Sequence, residues 1–260
     1  MDLKELIAGL DISVVDAGPD GGGVGGVDLS SIRVCDLTED SRTAVPGSLF
    51  IARPGLVSDG RGFISDAIEC GAVAVLTDSP KSAQGLGRGV VALVADDLLA
   101  VSALLAERFW GDPGSTLAIA GVTGTNGKTT IAHFIHQLIR GCGVRCGLIG
   151  TVIIDDGRES ARAAMTTPPA IEMSQTLATM LEHRCQAVAM EVSSHGLAQE
   201  RTSALHFDAA VFTNLTGDHL DYHQTFEEYR DAKGKLFDGL DAESVAIFAK
   251  GIEANTEMAA

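Results

Sequence analysis

The stretch Gly121–Thr130, GVTGTNGKTT, decides the fold. The run LAIAGV (117–122) leads into it and reads as a buried strand; KTTIAHFIHQLIR (128–140) leaves it with apolar residues at helical spacing. A strand, a glycine-rich turn ending Gly-Lys-Thr and a helix make a phosphate loop. Glycines let backbone N–H groups curl round an anion, and the helix start adds its positive end. Lys128 is placed to reach β- and γ-phosphates and the Thr129 hydroxyl to ligate Mg²⁺. The usual spacing asks for glycine at 122, where this chain has Val122; its glycines fall at Gly121, Gly124 and Gly127. The competing reading is a tight strand–helix turn with an incidental lysine. The context on both sides favours a nucleotide held by Gly121, Val122, Thr123, Gly124, Thr125, Asn126, Gly127, Lys128, Thr129 and Thr130.

Outward from the loop the rhythm alternates. VRCGLIGTVII (144–154) reads as one strand or two, AIEMSQTLATMLEHR (170–184) as a helix, and QAVAMEVS (186–193) and FDAAVFTN (207–214) as strands. TFEEYRDAKGKLFDGL (225–240) follows as a helix and SVAIFAK (244–250) as a last strand. The helix over 128–140 is expected to stop at Gly141. Such alternation predicts an α/β fold with a mainly parallel sheet covered by helices. Upstream, SLFIA (48–52), AVAVLT (72–77) and VVALVA (90–95) read as strands, with a helix over GFISDAIECG closed by Gly71. Residues 1–95 are therefore expected to form a small α/β domain, 96–115 a linker helix and loop ending in GDPGS, and 116–260 a central phosphate-loop domain.

Composition sets limits. The 260 residues are 45% hydrophobic and 21% charged, enough for a packed core. A net charge of -16 argues against nucleic acid or an anionic membrane as partner. No apolar run approaches the length of a membrane span. Asp2 and Glu5 stand where a secretory leader wants positive charge, so the expected location is cytoplasmic. Five scattered cysteines fit reduced thiols; Cys142 and Cys146 lack the second Cys/His pair of a zinc site.

Two further positions stand at the C-terminal tips of parallel strands, where ligands of such sheets gather. Glu191 ends QAVAME, and His219 follows FTNLTGD. Together they offer an O/N pair for a second Mg²⁺ or Mn²⁺, against the plainer reading of a surface glutamate and a loop histidine. By spacing alone Lys233 is a solvated helix lysine.

The ordered series EVSSHGL, QER, TNLTGDHLDYH and YRDAKGKLF resembles the Mur ligase family, in the branch acting on UDP-N-acetylmuramoyl-L-alanyl-D-glutamate (the MurE branch). DSRTAVPGSLF (40–50) and DGRGFI with GAVAVL are similar to that branch's N-terminal uridine-binding domain. The similarity runs from about residue 38 to about residue 249. It implies an ATP-dependent, Mg²⁺-dependent ligase of peptidoglycan synthesis. Such an enzyme converts the D-Glu γ-carboxylate into an acyl phosphate and joins it to a diamino acid, diaminopimelate ahead of lysine. It further implies that Ser41 contacts the uracil side of the substrate, that Thr166 and Thr167 bind the muramoyl dipeptide, and that Ser193, Gln199 and Arg201 hold the same substrate. Lys128, Glu191, His219 and Lys233 become catalytic. Thr129, Glu191, His219 and a CO₂-derived carbamate on Lys233 become the metal ligands. Members of the family are nearly twice as long, so the chain is expected to lack the C-terminal domain that binds the incoming amino acid. That domain could be a separate partner, and the chain itself a monomer. A folylpolyglutamate synthase-like ligase shares the loop but not the N-terminal module. A non-catalytic protein that binds UDP-muramoyl dipeptide would carry the same residues.

Overall fold

The protein is described from a computed structural model, which covers residues 1–15, 28–55, 58–87, 89–216 and 220–249. It is an α/β protein with two mixed, mainly parallel sheets, in two compact units, Met1–Phe109 and Trp110–Ala260.

In the first unit the elements run α1 (Leu3–Ile7), β1 (Ser13–Val15), β2 (Asp36–Thr38), β3 (Ser48–Ala52), α2 (Ile64–Glu69), β4 (Ala74–Thr77), β5 (Val91–Val94) and α3 (Leu98–Phe109). The sheet order is β1-β5-β4-β3-β2, with only β1 antiparallel to its neighbour. Every residue of β3, β4 and β5 is buried, as a strand covered on both faces requires. Short β1 and β2, at the two edges, carry no long apolar run and are not legible in the sequence. Helix α3, read from sequence as linker, packs within this unit: Arg108 donates from Nη1 to the carbonyls of Leu6 (2.8 Å) and Ala8 (2.7 Å), closing α3 onto the end of α1.

The second unit runs β6 (Ala118–Thr123), α4 (Lys128–Gly141), β7 (Cys146–Ile149), β8 (Ile153–Asp155), β9 (Ser160–Arg162), α5 (Ala170–Glu182), β10 (Ala187–Glu191), α6 (Ser194–Ala198), β11 (Ala209–Phe212), α7 (Leu220–His223), α8 (Phe226–Asp238) and β12 (Val245–Phe248). The sheet order is β12-β11-β6-β10-β7-β8-β9. The five strands from β12 to β7 are parallel, while β8 and β9 turn back as an antiparallel extension. Thus VRCGLIGTVII is two strands that reverse on each other at Gly150–Val152. Helix α4 ends at Gly141, its last helical residue, as expected. The chain leaves the helical path two residues on, where Gly143 adopts φ +84°. A glycine inside a last turn costs stability but does not break hydrogen bonding; the left-handed residue beyond it does.

The topology places the site. Central β6 has β10 on one side and β11 on the other, so three strand ends meet at one edge. In register, Val122 lies opposite both Glu191 and Val211, and Thr123 opposite Phe212. Beneath them pack Ile119, Val188, Met190, Met173, Leu177, Phe207 and Leu236, all buried. On the far side, Ile131, Ile135 and Ile139 of α4 cover Val122, Leu148 and Ala189.

Candidate nucleotide and acyl-substrate site

The loop after β6 explains its own departure from the common spacing. Val122 is fully buried inside β6, so it belongs to the strand and never enters the turn. The turning is done later, by Gly124 at φ +136° and Gly127 at φ +88°. At Gly124 a Cβ would run into the Thr213 hydroxyl and lie 2.9 Å from the Asn214 carbonyl, so the loop there sits against the end of β11. Five hydrogen bonds fix that contact. Thr125 N donates to Asn214 O (2.9 Å) and Asn126 N to Asn214 Oδ1 (3.0 Å). The Asn126 carbonyl accepts from Thr213 Oγ1 (2.7 Å) and Asn214 Nδ2 (2.9 Å), and Thr213 Oγ1 also reaches Thr123 O (3.2 Å). No side chain caps α4. A helix start of this kind is a place where backbone N–H groups can meet an anion.

Two lysines meet at one carbonyl. Lys128 Nζ donates to Gly124 O (2.8 Å) and Thr125 O (3.0 Å), and Lys233 Nζ donates to the same Gly124 O (3.0 Å). Lys233 is 1% exposed, which corrects its reading as a solvated helix lysine. It lies on the face of α8 turned to the sheet, with Tyr229 one turn earlier: Nζ sits 4.4 Å from the Tyr229 ring centre. The Tyr229 hydroxyl lies 3.0 Å from Thr125 Oγ1, tying α8 to the loop. Spacing could not show this, because a helical period does not say which neighbour covers a face.

Glu191 is fully buried at the tip of β10, a cost that only hydrogen bonding can offset. Its Oε2 accepts from Thr129 Oγ1 (2.9 Å) and Thr151 Oγ1 (3.0 Å), and its Oε1 from Thr151 N (2.7 Å). A Cβ on Gly150 would collide with that same Oε1. Gly150-Thr151 is thus a cradle for the carboxylate, and sequence reading missed it. The available signal was position: Thr151 follows the C-terminal end of β7, next in the sheet to the strand that ends in Glu191.

The residues expected to hold acyl substrate form one network. Thr167 Oγ1 donates to Glu191 O (3.1 Å), lies 3.1 Å from Ser193 Oγ, and accepts from Ser193 N (3.0 Å). Ser193 caps α6 by accepting from Gly196 N. Arg201 donates to Thr167 O (2.6 Å) and, through Nε and Nη2, to Gln199 Oε1 (3.2 and 2.8 Å). Thr166 joins through Thr151, Oγ1 to Oγ1 at 3.1 Å. Ser41 belongs to the first unit, buried in a short 3-10 turn that Asp40 begins by accepting from Arg42 N. Arg42 holds the Asp40 carboxyl down at about 2. His219 lies outside the described residues. Cys146 is buried in β7, where burial pushes its thiol up to about 11, while Cys142 is exposed at the end of α4.

The donor set can be tested against Mg²⁺. The hydroxyl of Thr129 and the carboxylate of Glu191 converge from two elements, both hard oxygen donors. Mg²⁺ needs few protein ligands because it keeps waters and substrate phosphates. These residues fit the ion. Among the described residues no cluster of three or more His, Cys, Asp and Glu side chains is placed to hold a metal, as a dedicated protein cage would require. No described helix is long and apolar enough to cross a membrane.

Two family models match the chain: the Mur ligase middle domain over residues 122–259 and the Mur ligase family catalytic domain over residues 36–107. The UDP-N-acetylmuramoyl-L-alanyl-D-glutamate--2,6-diaminopimelate ligase of Geobacillus thermodenitrificans is 47% identical over 201 residues, 77% of this chain and 40% of that one. Its counterpart in Chlorobaculum tepidum is 41% identical over 245 residues, 94% of this chain and 46% of that one. A solved structure of an enzyme of that name superposes with a TM-score of 0.79 at 26% identity, over all of this chain and 49% of the other. MurF from Acinetobacter baumannii, at 17% identity and a TM-score of 0.62, shares the fold. The chain spans less than half the length of these curated relatives. Identity of that order over most of the chain, with family models matching residues 36–107 and 122–259, places the protein in the Mur ligase family.

Proposed function

We propose that this chain supplies the nucleotide and acyl-substrate sites of a ligase that adds diaminopimelate to UDP-N-acetylmuramoyl-L-alanyl-D-glutamate with hydrolysis of ATP to ADP and phosphate. One observation carries the reading: the Glu191 carboxylate is bonded both to Thr129 of the phosphate loop and, through Thr151, to Thr166 of the acyl-substrate network. Groups for phosphate and groups for a peptide carboxylate are thereby a few hydrogen bonds apart. The names of the Geobacillus and Chlorobaculum relatives support the choice of substrates, and a cytoplasmic setting goes with them.

A free carboxylate is a poor acyl donor, since its leaving group would be oxide. In the proposed reaction a D-Glu γ-carboxylate oxygen attacks the γ-phosphorus of ATP and ADP leaves. The amine of the diamino acid then attacks the acyl carbon, loses a proton and expels phosphate. Lys128 and the start of α4 would hold the transferring phosphoryl group, binding charge as it spreads over the equatorial oxygens. Thr129, Glu191 and His219 would hold Mg²⁺, which supplies charge neutralisation between phosphates. Arg201, Gln199, Ser193, Thr166 and Thr167 would orient the dipeptide, and Ser41 the uracil.

Lys233 would carry a carbamate formed from CO₂. As an ammonium it shares the Gly124 carbonyl with the ammonium of Lys128. Conversion to an anion turns a repulsion into an attraction and offers oxygen donors to the cation. With ¹³C-labelled bicarbonate, a carbamate carbon signal is expected from the native chain and none from Lys233→Ala. The same signal in both would move the modification to another residue.

The reaction is tested by mass spectrometry. UDP-muramoyl dipeptide is incubated with MgATP, diaminopimelate, this chain and a C-terminal ligase domain of a Mur ligase. A gain of one diaminopimelate residue that disappears with Lys128→Ala is the expected result. A dipeptide that never grows, or grows equally without Lys128, overturns the reading.

A further inference from the structure

Hydrogen counting around Glu191 gives a direction to the network that distances alone do not. A carboxylate accepts only, and a threonine hydroxyl has one hydrogen to donate. Thr151 Oγ1 spends its hydrogen on Glu191 Oε2 (3.0 Å). In its 3.1 Å contact with Thr166 Oγ1 it must then accept, so Thr166 is the donor. The bonds run one way, from Thr166 to Thr151 to Glu191, and Thr129 donates to the same Glu191 oxygen (2.9 Å). Thr166 is left presenting lone pairs to whatever lies beside it, and so favours an N–H or O–H of the ligand over an anionic oxygen.

The arrangement is over-determined by the backbone. Thr151 N holds the other carboxylate oxygen (2.7 Å), and Gly150 has no Cβ because Glu191 Oε1 occupies that space. Gly150 N donates to Ile153 O (3.1 Å) and Ala163 N to Val152 O (3.2 Å). The β8–β9 hairpin is so pinned, and the irregular segment after β9 returns Thr166 to Thr151.

We propose that Thr151 is a positioning residue that couples the two ligands of the site: nucleotide with its cation at Thr129 and Glu191, and muramoyl dipeptide at Thr166. A cation on Glu191 competes for the lone pairs that hold the Thr151 hydrogen. Released from them, that hydroxyl can turn to donate to Thr166, which in turn frees the Thr166 hydrogen for the ligand. One rotation about the Thr151 Cβ–Oγ1 bond changes what the substrate meets, with no movement of the backbone. The coupling rests on the function proposed above.

Calorimetry on the 260-residue chain tests it. MgADP is titrated with and without saturating UDP-muramoyl-L-alanyl-D-glutamate. The ratio of the two dissociation constants is the coupling, expected at about fivefold or more. In Thr151→Val, which keeps the backbone donor and the side-chain shape, the ratio is expected to fall below about twofold, and Thr151→Ser is expected to restore it. A residue that only supported the fold would weaken both titrations together and leave their ratio unchanged. If Thr151→Val does not fold, Thr166→Val breaks the same link from its other end and is read in the same way. Native chain that binds neither ligand overturns the proposed function. Native chain that binds both without coupling, or whose coupling survives Thr151→Val, overturns this inference alone.

Discussion

Replacing Lys128 by alanine is expected to weaken MgATP binding by more than tenfold, at least about 1.4 kcal/mol. The side chain reaches over the loop, with Nζ between the carbonyls of Gly124 and Thr125, and so already stands where phosphate oxygens would approach the loop amides. A charge-assisted hydrogen bond contributes roughly 1.5–3 kcal/mol, and losing one accounts for the change. Calorimetric titration of native and substituted chains checks it, with far-ultraviolet circular dichroism to show that both are folded. Equal dissociation constants would mean that the loop is only a turn. Binding of UDP-muramoyl dipeptide by itself should change little in the same variant, because its proposed contacts run through Thr167, Ser193, Gln199 and Arg201.

Gly124→Ala is expected to have the largest effect of any single methyl group added to the second unit. Its φ of +136° is a conformation that L side chains rarely adopt, and the new Cβ would meet the Thr213 hydroxyl and the Asn214 backbone. Strain of this backbone kind costs about 1–3 kcal/mol, and overpacking costs a similar amount. The loss of unfolding free energy should therefore be roughly 2–6 kcal/mol. Relief would come by pushing the loop off β11, breaking the Asn126–Thr213 and Asn126–Asn214 bonds and moving the Gly124 carbonyl away from both lysines. Urea denaturation should show a lowered midpoint, and nucleotide binding should fall more than tenfold in the fraction that remains folded. A variant with native midpoint and native affinity would show that the loop does not depend on this close approach.

These results bear on what could be read before any coordinates. The strand, turn and helix around Lys128 were legible because their signals are local: glycines that turn, a lysine and a threonine at the start of an amphipathic helix, and a buried strand ahead of them fall within one short segment. The parallel sheet was legible for a related reason. Strands covered on both faces are continuous apolar runs, and the spacing between them leaves room only for helices. Glu191 could be placed because a strand end is a position along the chain. Edge strands β1, β2 and β9 escaped because each is only three residues long, too short to make an apolar run.

What the chain order could not contain was the meeting of distant segments. Lys233 is buried against Gly124, more than a hundred positions away, because α8 lies across β6 and Tyr229 anchors it at Thr125. Thr151 holds Glu191 because β7 and β10 are neighbours in the sheet though β8, β9 and α5 separate them in sequence. Gly150 reads as an ordinary turn glycine until the carboxylate oxygen is found in the place of its Cβ. Sequence by itself determined the covered strands, the long helices, the family and the turn between β6 and α4, because backbone preference and hydrophobic periodicity act between near neighbours. Only the tertiary structure decided which hydroxyls hold the buried carboxylate and which lysines share a carbonyl. Satisfying a buried charge is a demand on whatever space brings near, and strand order and register set that space.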